Sequence, residues 1–188
     1  MKKSLFIALL LFACGTVFGG DHVFFSVGVN YLEPSDSDYR DVYGQRVFYP
    51  EAQAGLRLIR GLYLTGGFGR LTKNGETLTL HLPAKSTQNF ISAGLAYIGT
   101  ITGGLKIKVG AGTVDVTYKE KTMGETLSGS KFGWQGEFGL LLMKNSFFAG
   151  INLGFLSASD WITVESVTEP VKVKLGGARA GLCLGFRI

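Results

Sequence analysis

The chain has 188 residues, of which 46% are hydrophobic, with 28 glycines, 2 cysteines and a formal net charge of +5. That length fits one domain, and a charge this small gives no basis for nucleic-acid binding. Two cysteines, one of them close to the N-terminus, exclude a disulfide-built scaffold.

Met1-Lys2-Lys3, the apolar run Leu5 to Ala13 and small residues through Gly20 follow the order of a bacterial secretory signal. The run is well short of the ~20 residues that cross a bilayer as a helix. Ala13-x-Gly15 and Val17-x-Gly19 offer cleavage sites, so residues 1–20 are expected to leave and 21–188 to form the mature domain. Leu11-Phe12-Ala13-Cys14 is similar to a lipobox, although Phe12 is bulky for one; the plainer reading discards Cys14 with the signal. Losing Lys2 and Lys3 lowers the net charge by two, to +3, and leaves Cys183 as the mature thiol.

Beyond the signal, apolar residues recur with period two, the spacing that sends alternate side chains to opposite faces of a sheet. A first strand, about His22 to Leu32, sets Val23, Phe25, Val27, Val29 and Tyr31 against Phe24, Ser26, Gly28 and Asn30. A second, Val47 to Ile59, sets Ala52, Ala54, Leu56 and Leu58 against Glu51, Gln53, Gly55 and Arg57; a third from Leu62 sets Leu64, Gly66 and Phe68 against Tyr63, Thr65, Gly67 and Gly69. A fourth spans about Gln88 to Ile98. A fifth starts at Gly104, with Leu105, Ile107, Val109 and Ala111 opposite Lys106, Lys108, Gly110 and Gly112. Its pattern slips at Thr113 to Val116, which predicts a bulge there. Sixth and seventh strands carry Phe132, Trp134, Phe138, Leu140 and Leu142, then Phe147, Ala149, Ile151, Leu153 and Phe155. The eighth runs from about Val171, placing Ala178, Ala180, Leu182, Leu184, Phe186 and Ile188 on one face and Arg179, Cys183, Arg187 and glycines on the other.

The connections alternate in length. Glu33–Arg46, Arg70–Thr87, Lys119–Ser130 and Ser157–Pro170 are long; Arg60-Gly61, Gly99–Gly103 and Met143–Asn145 are short. This asymmetry and an even strand count match an all-β, antiparallel up-and-down transmembrane β-barrel of eight strands, with ten as the variant count. A soluble lipocalin-like barrel is the competing architecture. It requires a charge-rich outer face, whereas the non-apolar faces here are largely Gly, Ser, Thr, Ala and Asn.

Glu51, Arg57, Lys106, Lys108, Glu137, Arg179 and Arg187 share the predicted lumen face. An eight-stranded interior is filled by side chains, so a satisfied salt-bridge network is favoured over a proton path or narrow solute channel. Tyr31, Phe48, Tyr49, Tyr63, Tyr97, Trp134, Phe147, Phe155 and Trp161 are candidates for interfacial girdles. Asp36, Asp38 and Asp41 lack the glycine and glutamate of a calcium loop and read as a solvated acidic loop. Thr77 to Leu82 alternates after the Lys73-Asn74-Gly75 turn signal and predicts a hairpin beyond the membrane, with an edge open to strand addition. His22 and His81 are the two histidines, and neither has an obvious acidic orienter or nucleophile beside it. No Cys/His metal cluster or phosphate-cradling loop is present, and no cofactor is expected.

On these alternating strands and the segment Arg179-Ala180-Gly181-Leu182-Cys183-Leu184-Gly185-Phe186, the chain resembles the small outer-membrane β-barrel family of the OmpX, Ail and OmpA-barrel type. The resemblance implies a bacterial outer-membrane location with loops at the cell surface, outer-membrane lipid as surroundings and a monomeric, non-enzymatic barrel. It further implies that Arg179, Gly181, Leu184 and Phe186 act as an assembly signal for the barrel assembly machinery, although Arg187 and Ile188 follow where many members end on an aromatic. Members serve as adhesins, serum-resistance factors or envelope stabilisers, so a host or envelope ligand at the loops is expected. A lipid A-modifying enzyme is the alternative that the same family allows.

Overall fold

A computed structural model describes residues 22–77, 81–122, 125–162 and 171–188. The stretch expected to be a signal, Cys14 and residues 78–80 of the alternating loop lie outside them. Eight strands close in sequence order into an antiparallel barrel: β1 (Val23–Pro34), β2 (Val47–Ile59), β3 (Leu62–Glu76), β4 (Pro83–Thr102), β5 (Leu105–Thr122), β6 (Glu125–Lys144), β7 (Phe147–Ile162) and β8 (Val171–Arg187). β1 and β8 seal the ring from Phe24↔Arg187 to Pro34↔Gly177, so no strand of the spanning wall is left as an edge. His22 N and Val23 N both donate to the Ile188 carbonyl and hold the start of β1 against the end of β8 at the short-turn end. There Gly61 adopts φ 80°, which glycine reaches without a Cβ clash, and the two-residue turn closes.

The outward faces carry an apolar belt. Val27, Val29, Leu56, Leu64, Phe68, Ile91, Leu95, Val109, Trp134, Phe138, Ile151, Leu153, Leu182 and Leu184 are all exposed on the outside of the wall. A contiguous apolar surface encircling a barrel is stable against hydrocarbon, which is how strands cross a membrane. Phe48, Tyr97, Phe147 and Phe155 are also outward and exposed, whereas Tyr49 (1% exposed) and Tyr63 turn into the lumen and leave the expected girdle.

On the long-loop side the polarity of the wall inverts. Val114, Val116 and Tyr118 of β5 are buried inside, while Thr117 and Lys119 face out. This inversion is what the sequence pattern registers at Thr113 to Val116: pairing runs without a break through Ile91↔Asp115, Ser92↔Val114 and Ala93↔Thr113, and no bulge is present there. The register shifts fall near the short turns, between Arg57 and Ile59 and between Thr100 and Thr102. Likewise the expected long connection Lys119–Ser130 is mostly strand, since β5 continues to Thr122 and β6 begins at Glu125.

A seven-residue helix, α1 (Ser37–Tyr43), occupies the first long connection where a solvated acidic loop is expected. Asp36 is its N-cap, accepting from Asp38 N and Tyr39 N, and its second oxygen accepts from Lys174 N of β8. Tyr39, Val42 and Tyr43 fall on one helical face, which packs inward above the barrel. Val42 O lies 2.2 Å from where a Cβ on Gly75 would sit, so glycine at that point of β3 lets the helix lie against the wall.

Candidate functional site: the filled lumen and the outer sheet

The lumen is stacked in three layers. Nearest the short turns, Phe24, Leu141 and Phe148 form an apolar plug with Tyr63, Ile98, Met143 and Cys183 around it. Phe24 meets Tyr63 and Phe148 edge-on, with ring centroids 5.4 and 6.2 Å apart. The plug encloses a void of 10 Å³, about the room that one water needs.

Above it lies a polar layer. Lys108 Nζ sits 2.9 Å from Glu137 Oε1 and donates also to Gln53 Oε1. Gln53 Nε2 returns a hydrogen bond to Glu137 at 3.3 Å. Arg179 Nη1 reaches Glu51 Oε1 at 3.3 Å and its Nη2 reaches Glu137 Oε2 at 4.0 Å, while Asn30 Nδ2 donates to the other Glu51 oxygen at 2.6 Å. Two cations face two carboxylates, so the layer is neutral. Its charged side chains are between 4 and 19% exposed. Charges so far from water persist only when paired and hydrogen-bonded. Lys108 also stands 5.7 Å from the Phe24 ring centroid, which ties this layer to the plug beneath.

Of the seven residues that parity assigns to the polar lumen, Glu51, Lys108, Glu137 and Arg179 come together. Arg57 pairs with Tyr63 near the short-turn end, and Lys106 Nζ donates to Thr100 Oγ1 at the rim. Arg187, on the same parity, bonds the Asn145 carbonyl at that rim. Asn30 and Gln53 complete the cluster. Their sequence signal was their place on the inner face, although they carry no charge.

The third layer, toward the long loops, is apolar again: Leu32, Val47, Tyr49, Leu71, Phe90, Val114, Val116, Leu156 and Leu175, closed over by Tyr39 and Tyr43 of α1. Glu120 projects into it, beyond the apolar belt. Burial pushes its carboxyl above the usual range, the nearby Asp36 charge pushes the same way, and Ser86 opposes them. Burial likewise raises the Tyr39 hydroxyl to about 12 and lifts that of Tyr43.

The wall does not end evenly. β3 to β6 remain paired with one another out to Glu76↔Pro83, Ala84↔Thr122 and Thr122↔Glu125. β2 leaves β3 at Glu51↔Gly69, and β7 leaves β6 at Trp134↔Ser157. A four-stranded sheet therefore rises beyond the belt. α1 lies against its β3 side, and the β6 edge beyond Trp134 has no strand paired to it among the described residues.

A closed ring of eight antiparallel strands in sequence order, apolar outside and filled inside, decides the architecture. It is the fold of the small eight-stranded outer-membrane barrels. No protein-family profile and no curated protein sequence matches the chain, but solved structures do. Outer membrane protein OprG from Pseudomonas aeruginosa superposes with a TM-score of 0.67 at 14% identity, over 89% of this chain and 96% of that one. Neisserial surface protein A gives 0.60 at 15% identity over 88% and 96%. Ail of Yersinia pestis, in complex with the heparin analogue sucrose octasulfate, gives 0.53 at 12% identity over 89% and 97%. At such identities the likeness concerns the fold.

Among the described residues no group of His, Cys, Asp and Glu is placed to hold a metal ion. His81 Nδ1 lies 3.9 Å from Glu76 Oε2 at the tip of the β3–β4 hairpin, with both side chains largely exposed.

Proposed function

We propose that the protein is an integral, monomeric, non-enzymatic component of a bacterial outer membrane, with its long-loop end at the cell surface. Residues 1–20 direct export, 21–188 form the barrel, and Arg179, Gly181, Leu184 and Phe186 present the assembly signal. The observation that carries the surface role is the β3–β6 sheet. It extends past the belt and keeps a β6 edge to which no strand is paired among the described residues, and the backbone groups of such an edge are complementary to an extended polypeptide. Ail, of the same fold, is a protein whose structure holds the heparin analogue sucrose octasulfate. A conducting role has less support, because two apolar layers enclose the polar one. A lipid A-modifying role run on His81 has little beside it, since Glu76, its acidic neighbour among the described residues, is exposed with it at a hairpin tip.

The test is adhesion of bacteria displaying the barrel to an epithelial monolayer, with the β5–β6 hairpin shortened by equal numbers of residues from each strand. Adhesion lost with the hairpin, at equal surface display, supports the reading. Equal adhesion by both proteins refutes it. A lipid A profile altered by His81→Ala would move the reading to the enzyme.

A further inference from the structure

Charge is divided along the barrel axis. The long connections and the strand ends leading into them, residues 33–46, 70–85, 115–131 and 160–174, hold eleven acidic and ten basic residues in sequence. In the lumen Glu51 and Glu137 cancel Lys108 and Arg179. Arg57, Arg60, Lys106, Lys144 and Arg187 remain, and all five belong to the short-turn end. Asp21, beside His22 in sequence, is the one acidic residue left to set against them. The surplus of positive charge in residues 21–188 therefore comes from the end opposite the long loops. Every short turn contributes to it: Arg57 and Arg60 at the β2–β3 turn, Lys106 after the β4–β5 turn, Lys144 before the β6–β7 turn. Among the described residues no carboxylate forms an ion pair with any of these four. Lys106 meets a neutral acceptor, Thr100 Oγ1. Such a one-signed end, on a chain that is balanced elsewhere, is complementary to an anionic partner.

Parity narrows the class of anion. Arg57 pairs with the inward Tyr63, and Lys106 has the parity of Lys108, so both belong to the mouth of the lumen and not to the lipid-facing wall. Outward positions at this end are apolar and exposed: Leu58, Tyr97, Ile101 and Phe147. Of the cations, Lys144 has the outward parity of Leu142. A phospholipid headgroup beside the wall meets Lys144 and stands off from the mouth. Nor does an anion enter the mouth, since the aromatic plug leaves a void of only 10 Å³ there. The partner lies across the end. Thr100, Thr102, Asn145 and Ser146 are set among the cations, and arginine with neutral hydrogen-bonding groups is the composition of a protein interface. We infer that the short-turn end docks an acidic polypeptide surface in the compartment beneath the membrane, with its carboxylates on Arg57, Arg60, Lys106 and Lys144. This rests on the outer-membrane placement proposed above. Eight strands ~4.8 Å apart and tilted ~40° make a ring about 16 Å across, so the end with its side chains offers about 500 Å². That is less than the ~800 Å² each partner gives to a standard interface, and the contact is weak and salt-sensitive.

The test holds the mature barrel in nanodiscs of zwitterionic phospholipid and titrates it with fluorescent poly-L-glutamate at low salt, read by anisotropy. Insertion is read on the same samples by heat-modifiable gel mobility. Four exposed pairs worth roughly a factor of two each give the R57Q/R60Q/K106Q/K144Q variant an expected loss of about tenfold in affinity. The R46Q/R70Q/K85Q/K174Q variant, which loses as many cations from the long-loop end, should bind as the native barrel does. Equal affinity of the native barrel and the short-turn variant overturns the inference. So does an equal loss in the two variants, which would make the effect one of net charge. Phosphatidylglycerol retained more strongly by the native barrel than by the short-turn variant, read by native mass spectrometry, would assign the cations to the leaflet and overturn it as well. A chain that inserts yet fails these comparisons refutes the surface alone; a chain that does not insert refutes the membrane placement with it.

Discussion

Replacing Glu137 by alanine removes the carboxylate on which Lys108 and Arg179 converge. Arg179 keeps Glu51 at 3.3 Å, but Lys108 keeps only the Gln53 amide oxygen. The neutral layer then carries one uncompensated positive charge between two apolar layers. The Lys108 and Glu137 side chains are 4% and 11% exposed, so solvent screens little of it. Breaking such a pair costs about 3–5 kcal/mol. Replacing both partners, as Lys108→Met with Glu137→Leu, leaves Arg179 with Glu51 and restores neutrality, so the double variant is expected within about 1 kcal/mol of the native protein. The assay is urea unfolding in detergent or bilayers, followed by the mobility difference between unboiled folded and unfolded chain. An alanine variant losing under about 1 kcal/mol would refute the buried-pair reasoning, as would a double variant no better than the single.

Asp36→Ala removes the cap of α1 and its hold on Lys174 N, and should cost about 1–2 kcal/mol locally. Faster proteolysis within residues 37–43 is the expected readout, and an unchanged rate counts against it. Glu120 holds its proton better folded than unfolded. The stability this gives is complete below the ordinary carboxylate range, near pH 4, and is lost as pH rises through the raised folded value. Glu120→Gln should therefore flatten the fall in unfolding midpoint from acid to neutral pH; parallel pH curves for the two proteins would contradict this. A Cβ on Gly112 would lie 2.3 Å from the Ala93 carbonyl oxygen, part of a backbone that cannot step aside. Gly112→Val should cost at least about 1–3 kcal/mol of unfolding free energy, and a silent variant would refute the close approach of β4 and β5. For the assembly signal, Phe186→Ala should slow insertion into vesicles carrying the assembly machinery while leaving detergent folding intact, and equal insertion rates would remove it.

Much of the barrel is legible in the period-two pattern because lipid outside and a packed lumen inside sort side chains strictly by parity. That is why the bounds of β2 and the inward Glu51, Lys108, Glu137 and Arg179 can be placed from sequence. Parity reports the face and not the height. Arg57 and Lys106 share the face of the polar layer yet stand near the short turns, and only their distance along the chain from Arg60-Gly61 and Gly103 separates them from it. The turn of polarity at Val114 and Val116 imitates a register slip because the surroundings change from lipid to water while the backbone does not. α1 was masked by its three aspartates. The signal that could have revealed it is Asp36 as a cap, followed by Tyr39, Val42 and Tyr43 at helical spacing.

The central claim is that the apolar belt lies in lipid. Fractionation of cells producing the full chain, with a urea wash of the membranes and comparison of boiled and unboiled samples on one gel, tests it most directly. The account predicts protein retained in the outer-membrane fraction and migrating at two positions, according to whether it was boiled. Protein released into the periplasmic fraction, or running at a single position, would contradict it.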